Sequence, residues 1–493
     1  MLRLRRILAP GSFARQVALV SGGTVASQAI VLATSPILTR LYSPEDFGVL
    51  AVFSSILGIL LSIGGLRYET AIPLAKDDSE ALAVLALCLL VPVVFGAIVV
   101  ALLASGLVAI GPLSGSPTLD AHYWLIPMGL VLSCWNLALS NWALRKGAFS
   151  AIARSKLDQG LYSSAIQLGS PLFLKSPAGL LIGHLFLRAG GTLRLIRVLR
   201  RTAVGLRAPS RKEIWQATVQ HKNFALFSTW ASLASAVSAQ LPPLLLASYF
   251  GSTTAGLYAL GLRLLRTPMM LLGSSIGQVF FARASGIGKQ IELTRLTLQV
   301  YVALCRVGVP VIATIGISAP EAFSLLFGSE WRLAGVYTQW LCPWLFALFV
   351  ASPISSIPSI RGRQQADLAF QLWLLGVRVL ALLVGAQLSN VNLAIALYSI
   401  ASALSWLTIL AWILRLAGVT VQVSLTHTLK AVLASVPLIV PAILGRLTTL
   451  IMNHELPTLI GAVVSFALIA PLTLRRLTNL RMVEPDGSFN PLV

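Results

Sequence analysis

Apolar runs recur along the whole chain at the length of a bilayer crossing, separated by short polar connections. A hydrocarbon core about 30 Å thick needs a helix of about 20 predominantly apolar residues. Runs near that length stand at 16–38, 47–65, 81–110, 123–144, 157–174, 178–194, 224–249, 256–281, 299–319, 334–358, 368–388, 392–414, 430–452 and 457–474. The pattern predicts an all-α membrane protein with about fourteen transmembrane helices. Asp158, Gln159 and Arg188 interrupt the fifth and sixth runs, whose limits are the least sharp.

Composition agrees with a bilayer as solvent: only 11% of the residues are charged, against roughly a quarter in soluble domains. The apolar run after Met1-Leu-Arg-Leu-Arg-Arg is longer than a signal-peptide core, and no small-residue cleavage site closes it. It therefore reads as an uncleaved first span.

The net charge of +21 would point to nucleic acid in a soluble chain. Here its distribution points to topology, and no nucleic-acid partner is expected. Alternate connections hold Arg3, Arg5, Arg6 and Arg15; Arg67 and Lys76; Arg145, Lys146, Arg154 and Lys156; and the basic segment from Arg194 to Lys222. The series continues through Arg283, Lys289, Arg295, Arg361, Arg363, Arg415, Lys430, Arg475, Arg476 and Arg481, whereas the opposite connections hold only Arg40, Lys175 and Arg332. The positive-inside rule makes the first set cytoplasmic, with both termini on that side of a bacterial inner membrane. The 194–222 segment is expected to link two halves and touch anionic membrane lipids. Tyr42, Tyr123, Trp124, Tyr249 and Trp331 mark the outer edges as an aromatic belt. Cys88, Cys134, Cys305 and Cys342 sit unpaired in apolar runs, which excludes a disulfide framework and a zinc cluster. The histidines show no metal-ligand spacing.

The segments LTRLYSPEDFGVLA (38–51) and LASYFGSTTAGLYA (246–259) align without gaps, matching Leu38 with Leu246, Gly48 with Gly256 and Ala51 with Ala259. Each closes a span, turns, and opens the next with a glycine. An even number of crossings separates them, so the halves enter the membrane in the same sense, a parallel repeat that places a binding site between halves.

Six basic residues fall within spans: Arg188, Arg263, Arg266, Arg306, Arg378 and Arg446. Each costs roughly 2.5–3.5 kcal/mol near the bilayer centre even on lenient scales. Arg188 and Arg446 lie near span ends and are expected to snorkel. Arg263 and Arg266 share a helix face one turn apart. Arg266 and Arg378 each stand about ten residues, or about 15 Å, into their spans, and Arg306 is intermediate. The repeat offset maps 263, 266, 306 and 378 onto Ser55, Gly58, Ile98 and Ser170, so the basic residues belong to the second half. The acids sit at span ends, including Asp120, Asp158, Asp367 and Glu455, with Glu321 just after Pro320 at the outer face. A cationic cavity without counter-ions suits an anionic substrate, because guanidinium binds phosphate bidentately and stays charged at any depth. Pro268 is placed to kink the helix that carries Arg266.

GLRYETAIPLAKDDSEA (65–81) resembles the Leu-Arg-Tyr-Glu block of Wzx-type polysaccharide flippases. LTRLYSPEDFG (38–48), APEAFSLLFGSEW (319–331) and GLYALGLRLLRTPMMLLGSSIGQVFFARAS (256–285) resemble that family too, and these blocks with the helix count extend over essentially the whole chain. The resemblance implies the multidrug/oligosaccharidyl-lipid/polysaccharide exporter superfamily. Its implied architecture is two six-helix lobes, 1–205 and 206–418, plus a C-terminal helix pair and tail, 419–493. The implied activity moves undecaprenyl-diphosphate-linked O-antigen, exopolysaccharide or capsule units to the periplasmic leaflet, in a monomer serving a polysaccharide polymerase and a chain-length regulator. By motif it carries over Arg40, Arg67, Glu69, Arg263 and Pro268, with Arg67 and Glu69 read either as substrate contacts or as a lobe-stabilising ion pair. No cofactor is implied; coupling to a proton or sodium ion is left open.

Two other functions compete. Lipid II flippases of the superfamily carry arginines in the first helix, and the run from Gln16 to Leu38 has none. A membrane polymerase would need a sizeable outer loop, and the outer loops are short. Gly273-Ser274-Ser275-Ile276-Gly277 fits the nucleophile-elbow string, but that motif needs a strand–turn–helix setting and here falls in a helix, where small residues four apart serve packing. The charge pattern sets a first expectation. Green fluorescent protein fused after Val493 should fluoresce and alkaline phosphatase at the same point should be inactive; the reverse pair of results would invert the topology.

Overall fold

The computed structural model describes residues 13–105, 111, 115, 117–173, 176–287, 289–361, 363–452 and 454–479. Arg3, Arg5, Arg6, Lys175 and Arg481 lie outside the described residues. Among those described, every regular element is helical, as the apolar pattern requires. Ten helical segments are long and apolar enough to cross a bilayer, fewer than the fourteen expected. The expected crossings at 16–38 and 256–281 are also helical, and those at 123–144 and 157–174 are helical over Leu125–Arg145 and Phe149–Gly169, but all four fall outside those ten.

The chain divides into two compact units, Met1–Ala259 and Leu260–Val493. The first contains α1 (Phe13–Leu41), α2 (Pro44–Gly64), α3 (Asp78–Ala104), α4 (Leu125–Arg145) and α5 (Phe149–Gly169). It continues with α6 (Ala178–Ala189), α7 (Thr192–Thr202), α8 (Arg211–Gln220), α9 (Thr229–Phe250) and the first turns of α10 (Ser252–Ala284).

The α1–α2 turn follows from local chemistry. Ser43 and Asp46 form a reciprocal capping box and Pro44 fills the first helical position, where its missing N–H costs nothing. Tyr42 is not part of an exposed belt. Its hydroxyl donates to the Gln167 carbonyl at 2.9 Å, tying the end of α1 to α5. Trp331 is likewise buried, whereas Tyr123, Trp124 and Tyr249 are exposed as a belt requires.

The two repeated turns meet. A Cβ on Gly48 would lie 1.8 Å from the Ser252 carbonyl oxygen, and one on Gly256 would lie 2.0 Å from the Pro44 carbonyl oxygen. Each repeated glycine therefore seats the start of the other copy's helix, a reciprocity that a twofold relation between the turns produces. Hydrogen is the only side chain either position accepts.

At the far end of α2 the connection to α3 folds under the bundle. Tyr68, Ile72, Val84, Leu139, Trp142, Leu195 and Ala217 form one apolar cluster there. Asp78 above it accepts from Arg145 Nε at 3.1 Å and from Lys146, and Arg145 also donates to the Ala75 carbonyl at 2.7 Å. The basic 194–222 segment is more ordered than a link. Arg194 to Arg201 lie in α7, and after α8 Gln220 and His221 both bond Glu80 of α3, at 2.8 and 2.9 Å.

The second unit contains the rest of α10, then α11 (Gln290–Phe327), α12 (Arg332–Ala351), α13 (Gln364–Gln387), α14 (Val391–Leu416), α15 (Val421–Met452) and α16 (Leu456–Asn479). One of its apolar clusters joins Phe280, Leu304, Cys305, Phe349, Ile413 and Leu414. Arg446 corrects the snorkelling expectation. It forms an ion pair with Glu321, a fully buried carboxylate on α11. Arg332 approaches the same carboxylate at 3.5 Å and Glu455 at 3.4 Å. Four charges thus fasten the C-terminal pair α15–α16 to α11 and α12. Breaking a buried pair by removing one partner costs about 3–5 kcal/mol, because the other charge stays buried alone. Arg446→Ala should therefore lower the detergent melting temperature sharply, and Glu321→Gln combined with Arg446→Gln should recover most of the loss. Equal melting of wild type and Arg446→Ala would show the pair to be idle.

Candidate functional site

The predicted cations occupy five settings. Arg263 and Arg266 stand one turn apart on α10, both partly buried. Arg266 Nε is buried without a hydrogen-bond partner, and among the described residues no carboxylate pairs with either arginine. The described acidic side chains of the second unit, Glu292, Glu321, Glu330 and Glu455, sit at helix ends or in connections. Helix α10 runs through Pro268, whose ring removes the N–H that would bond one turn back. Ser274 and Ser275 donate to the Leu271 carbonyl at 3.1 and 2.9 Å, so the nucleophile-elbow string is a stretch of helix and not a strand–turn–helix elbow.

The matching helix of the first copy is informative. Ser55 is buried, and the space beside Gly58 is taken by the Gln240 side chain, whose amide nitrogen would lie 2.4 Å from an added Cβ. The same helix thus folds with a small residue at both positions. The fold alone does not call for guanidinium there.

Arg378 on α13 lies in a different environment. It is 7% exposed, its guanidinium lies 5.0 Å from the Trp344 ring and 5.4 Å from the Tyr398 ring, and its Nε donates to Ser402 Oγ at 3.0 Å. The two rings are themselves edge to face at 5.3 Å. A planar, weakly hydrated cation suits such an aromatic box. Arg306 is partly buried on α11 next to the core residue Cys305.

Arg67 and Glu69 form the expected pair, Nη1 to Oε1 at 3.8 Å. Their backbone is strained: Leu66 and Arg67 have φ of 47° and 60°, left-handed values that cost non-glycine residues of order 1–3 kcal/mol. Burial pushes the Glu69 carboxyl above its usual range, while its own backbone N–H and Arg67 pull it back. Arg40 is exposed at the end of α1.

Sequence reasoning passed over a polar seam in the first unit. Ser155, Gln159, Ser163 and Gln167 are all buried on α5, spaced by four. Gln159 donates to Asn136 Oδ1 at 3.0 Å, and Asn136 donates to Thr192 at 3.0 Å. Asp158 takes Arg194 through two bonds of 2.7 and 3.2 Å. The α6–α7 break at Gly190–Gly191 lets α5 approach, since a Cβ on Gly191 would lie 1.9 Å from Ser155 Oγ. The four-residue polar spacing was the available signal.

A sequence profile of the family described as "Polysaccharide biosynthesis protein" matches residues 37–335. The chain belongs to this family. A curated relative, the succinoglycan biosynthesis transport protein ExoT of Rhizobium meliloti (strain 1021), is 25% identical over 368 residues, 71% of this chain and 68% of that protein. Among solved structures, the lipid II flippase MurJ in its inward closed conformation superposes with a TM-score of 0.67 at 12% identity, over 93% of this chain and 99% of that one. An inward-facing multidrug resistance MATE transporter of the MOP superfamily gives 0.65 at 14% identity, over 80% and 95%. At these identities the solved structures establish the fold, an all-helical one shared with MurJ and the MATE transporter. The family match and the ten long apolar helices identify a multi-pass membrane protein of polysaccharide biosynthesis.

The aromatic box generates a test of Arg378. Arg378→Lys keeps the charge but loses the planar stack and the Nε bond to Ser402. Cation–π contacts contribute about 0.5–2 kcal/mol each, so this family member should melt several degrees lower with lysine there. An unchanged melting temperature would remove the stabilising role.

Proposed function

We propose that this family member flips undecaprenyl-diphosphate-linked oligosaccharide (an O-antigen, exopolysaccharide or capsule repeat unit) from the cytoplasmic to the periplasmic leaflet of the inner membrane by alternating access. The observation that carries the reading is the pair Arg263 and Arg266, held on one helix without a carboxylate among the described residues. Each costs roughly 2.5–3.5 kcal/mol in a hydrocarbon setting, and the equivalent helix α2 folds without them. Two guanidinium groups a turn apart fit the oxygens of a diphosphate, each capable of bidentate bonds. A diphosphate that arrives with its own negative charge offsets the cost the arginines impose when alone.

In this reading the headgroup and its sugars pass the arginines while the polyprenyl tail stays in lipid, and the path opens to one side of the membrane at a time. Pro268 gives α10 a place to bend. Arg306, Arg378, Arg67 and Arg40 are further substrate contacts, and Glu69 with Pro268 supports the moving parts. The mechanical lobes are 1–205 and 206–418, with 419–493 attached to the second. The basic side of α7 and α8, with Trp215 exposed, rests on anionic lipid of the cytoplasmic leaflet. ExoT is named for succinoglycan transport, which supports a polysaccharide precursor as the cargo class.

In a deletion strain complemented with Arg266→Ala, surface polysaccharide should fall at least tenfold at unchanged protein level. Arg266→Lys, a charge without the fork, should restore part of it. Wild-type amounts of polysaccharide in the alanine strain would remove Arg266 from the mechanism. Lysis or arrested growth on deletion would instead make cell-wall precursor the cargo.

A further inference from the structure

The first unit carries a cationic pair of its own. Lys156 on α5 and Arg188 on α6 are both partly buried. Lys156 stands seven residues from the start of α5 at Phe149, about 10 Å at 1.5 Å per residue. Arg188 stands ten residues from the start of α6 at Ala178, about 15 Å. Lys156 therefore lies within α5 and not in the connection before it.

Snorkelling would carry Lys156 back toward the basic end of its helix. Its ammonium instead reaches one turn forward and donates to Gln159 Oε1 at 3.3 Å. The Gln159 amide N–H groups donate to Asn136 Oδ1 at 3.0 Å and to the Arg188 carbonyl at 3.1 Å. One glutamine therefore joins the two cation-bearing helices, and α4 locks it in orientation. Asp158, two residues beyond Lys156 on α5, is engaged by two bonds from Arg194. Counting Lys156, Asp158, Arg188 and Arg194, the cluster keeps two net positive charges. Among the described residues the Arg188 guanidinium has no hydrogen-bond or ion-pair partner.

We propose that Lys156 and Arg188 form an anion-binding site in the first unit that takes a phosphate group of the polyprenyl-diphosphate carrier. The chemistry is general: a fork of donors and a point charge, held by a fixed amide, around the oxygens of a tetrahedral phosphate. The carrier as the source of that phosphate rests on the function proposed above. The site gives the first unit a contact with the headgroup that does not depend on Arg263 or Arg266.

The test uses the full chain in phosphatidylcholine nanodiscs, with undecaprenyl diphosphate, inorganic pyrophosphate and added phosphatidylglycerol as separate probes. Lys156→Met with Arg188→Met removes both charges at similar volume, and should leave the unliganded melting temperature unchanged or raised, since an unpaired buried cation is gone. The same double variant should bind undecaprenyl diphosphate at least tenfold more weakly. Lys156→Arg with Arg188→Lys should bind within threefold of wild type, and Arg188→Gln supplies a polar neutral variant should the methionine pair not fold. Wild-type affinity in the methionine or glutamine variants overturns the site, even where Arg266→Ala abolishes transport. A loss confined to phosphatidylglycerol assigns the site to a bilayer lipid and overturns its carrier role. Loss of pyrophosphate binding alone, with the carrier bound as in wild type, overturns that role as well.

Discussion

Charge inside hydrocarbon is the constraint that organises this protein. A guanidinium or carboxylate in that setting needs a partner, and the chain supplies partners in chemically different ways. Glu321 is met by Arg446 and Arg332, Asp158 by the two bonds of Arg194, and Arg378 by two aromatic faces and a serine hydroxyl. Against those cases Arg263 and Arg266 stand out, as does Arg188, because among the described residues no carboxylate meets any of the three. The inference of an anionic cargo is strongest when drawn from that contrast.

The same constraint explains why so little of the helix packing relies on polar groups. Apolar attraction between helices is weak in lipid, so close approach of small residues carries much of the assembly. Gly48 and Gly256 bring the two repeated turns into reciprocal contact, and Gly190 and Gly191 admit α5 against the α6–α7 break. Gln159, Asn136 and Thr192 enter the packing as one bonded chain across helices, whereas Ser155 and Ser163 of the same seam are buried without a hydrogen-bond partner.

Much of the fold was legible in the sequence. Helix positions, the repeated turn and the family blocks follow from run length, spacing and local turn chemistry, which are properties of neighbouring residues. The partners of the charges were not, because they are set by tertiary contact. Arg446 sits near a helix end, where snorkelling is the ordinary outcome, and nothing nearby announces Glu321 far upstream. Arg378 looked like a lone midplane cation because Trp344 and Tyr398 arrive from other helices. Lys156 was counted among loop charges because α5 is polar enough to hide its first two turns from a hydropathy reading. In each case the environment is set by residues distant in the sequence.

The fastening of the last helix pair has a consequence for any shortened form of the molecule. Arg446 and Glu455 leave with α15 and α16, and Glu321, fully buried on α11, is left facing Arg332 alone. A buried carboxylate that loses its counter-ion is costly to keep, so the end of the chain cannot be cut away without cost to its middle.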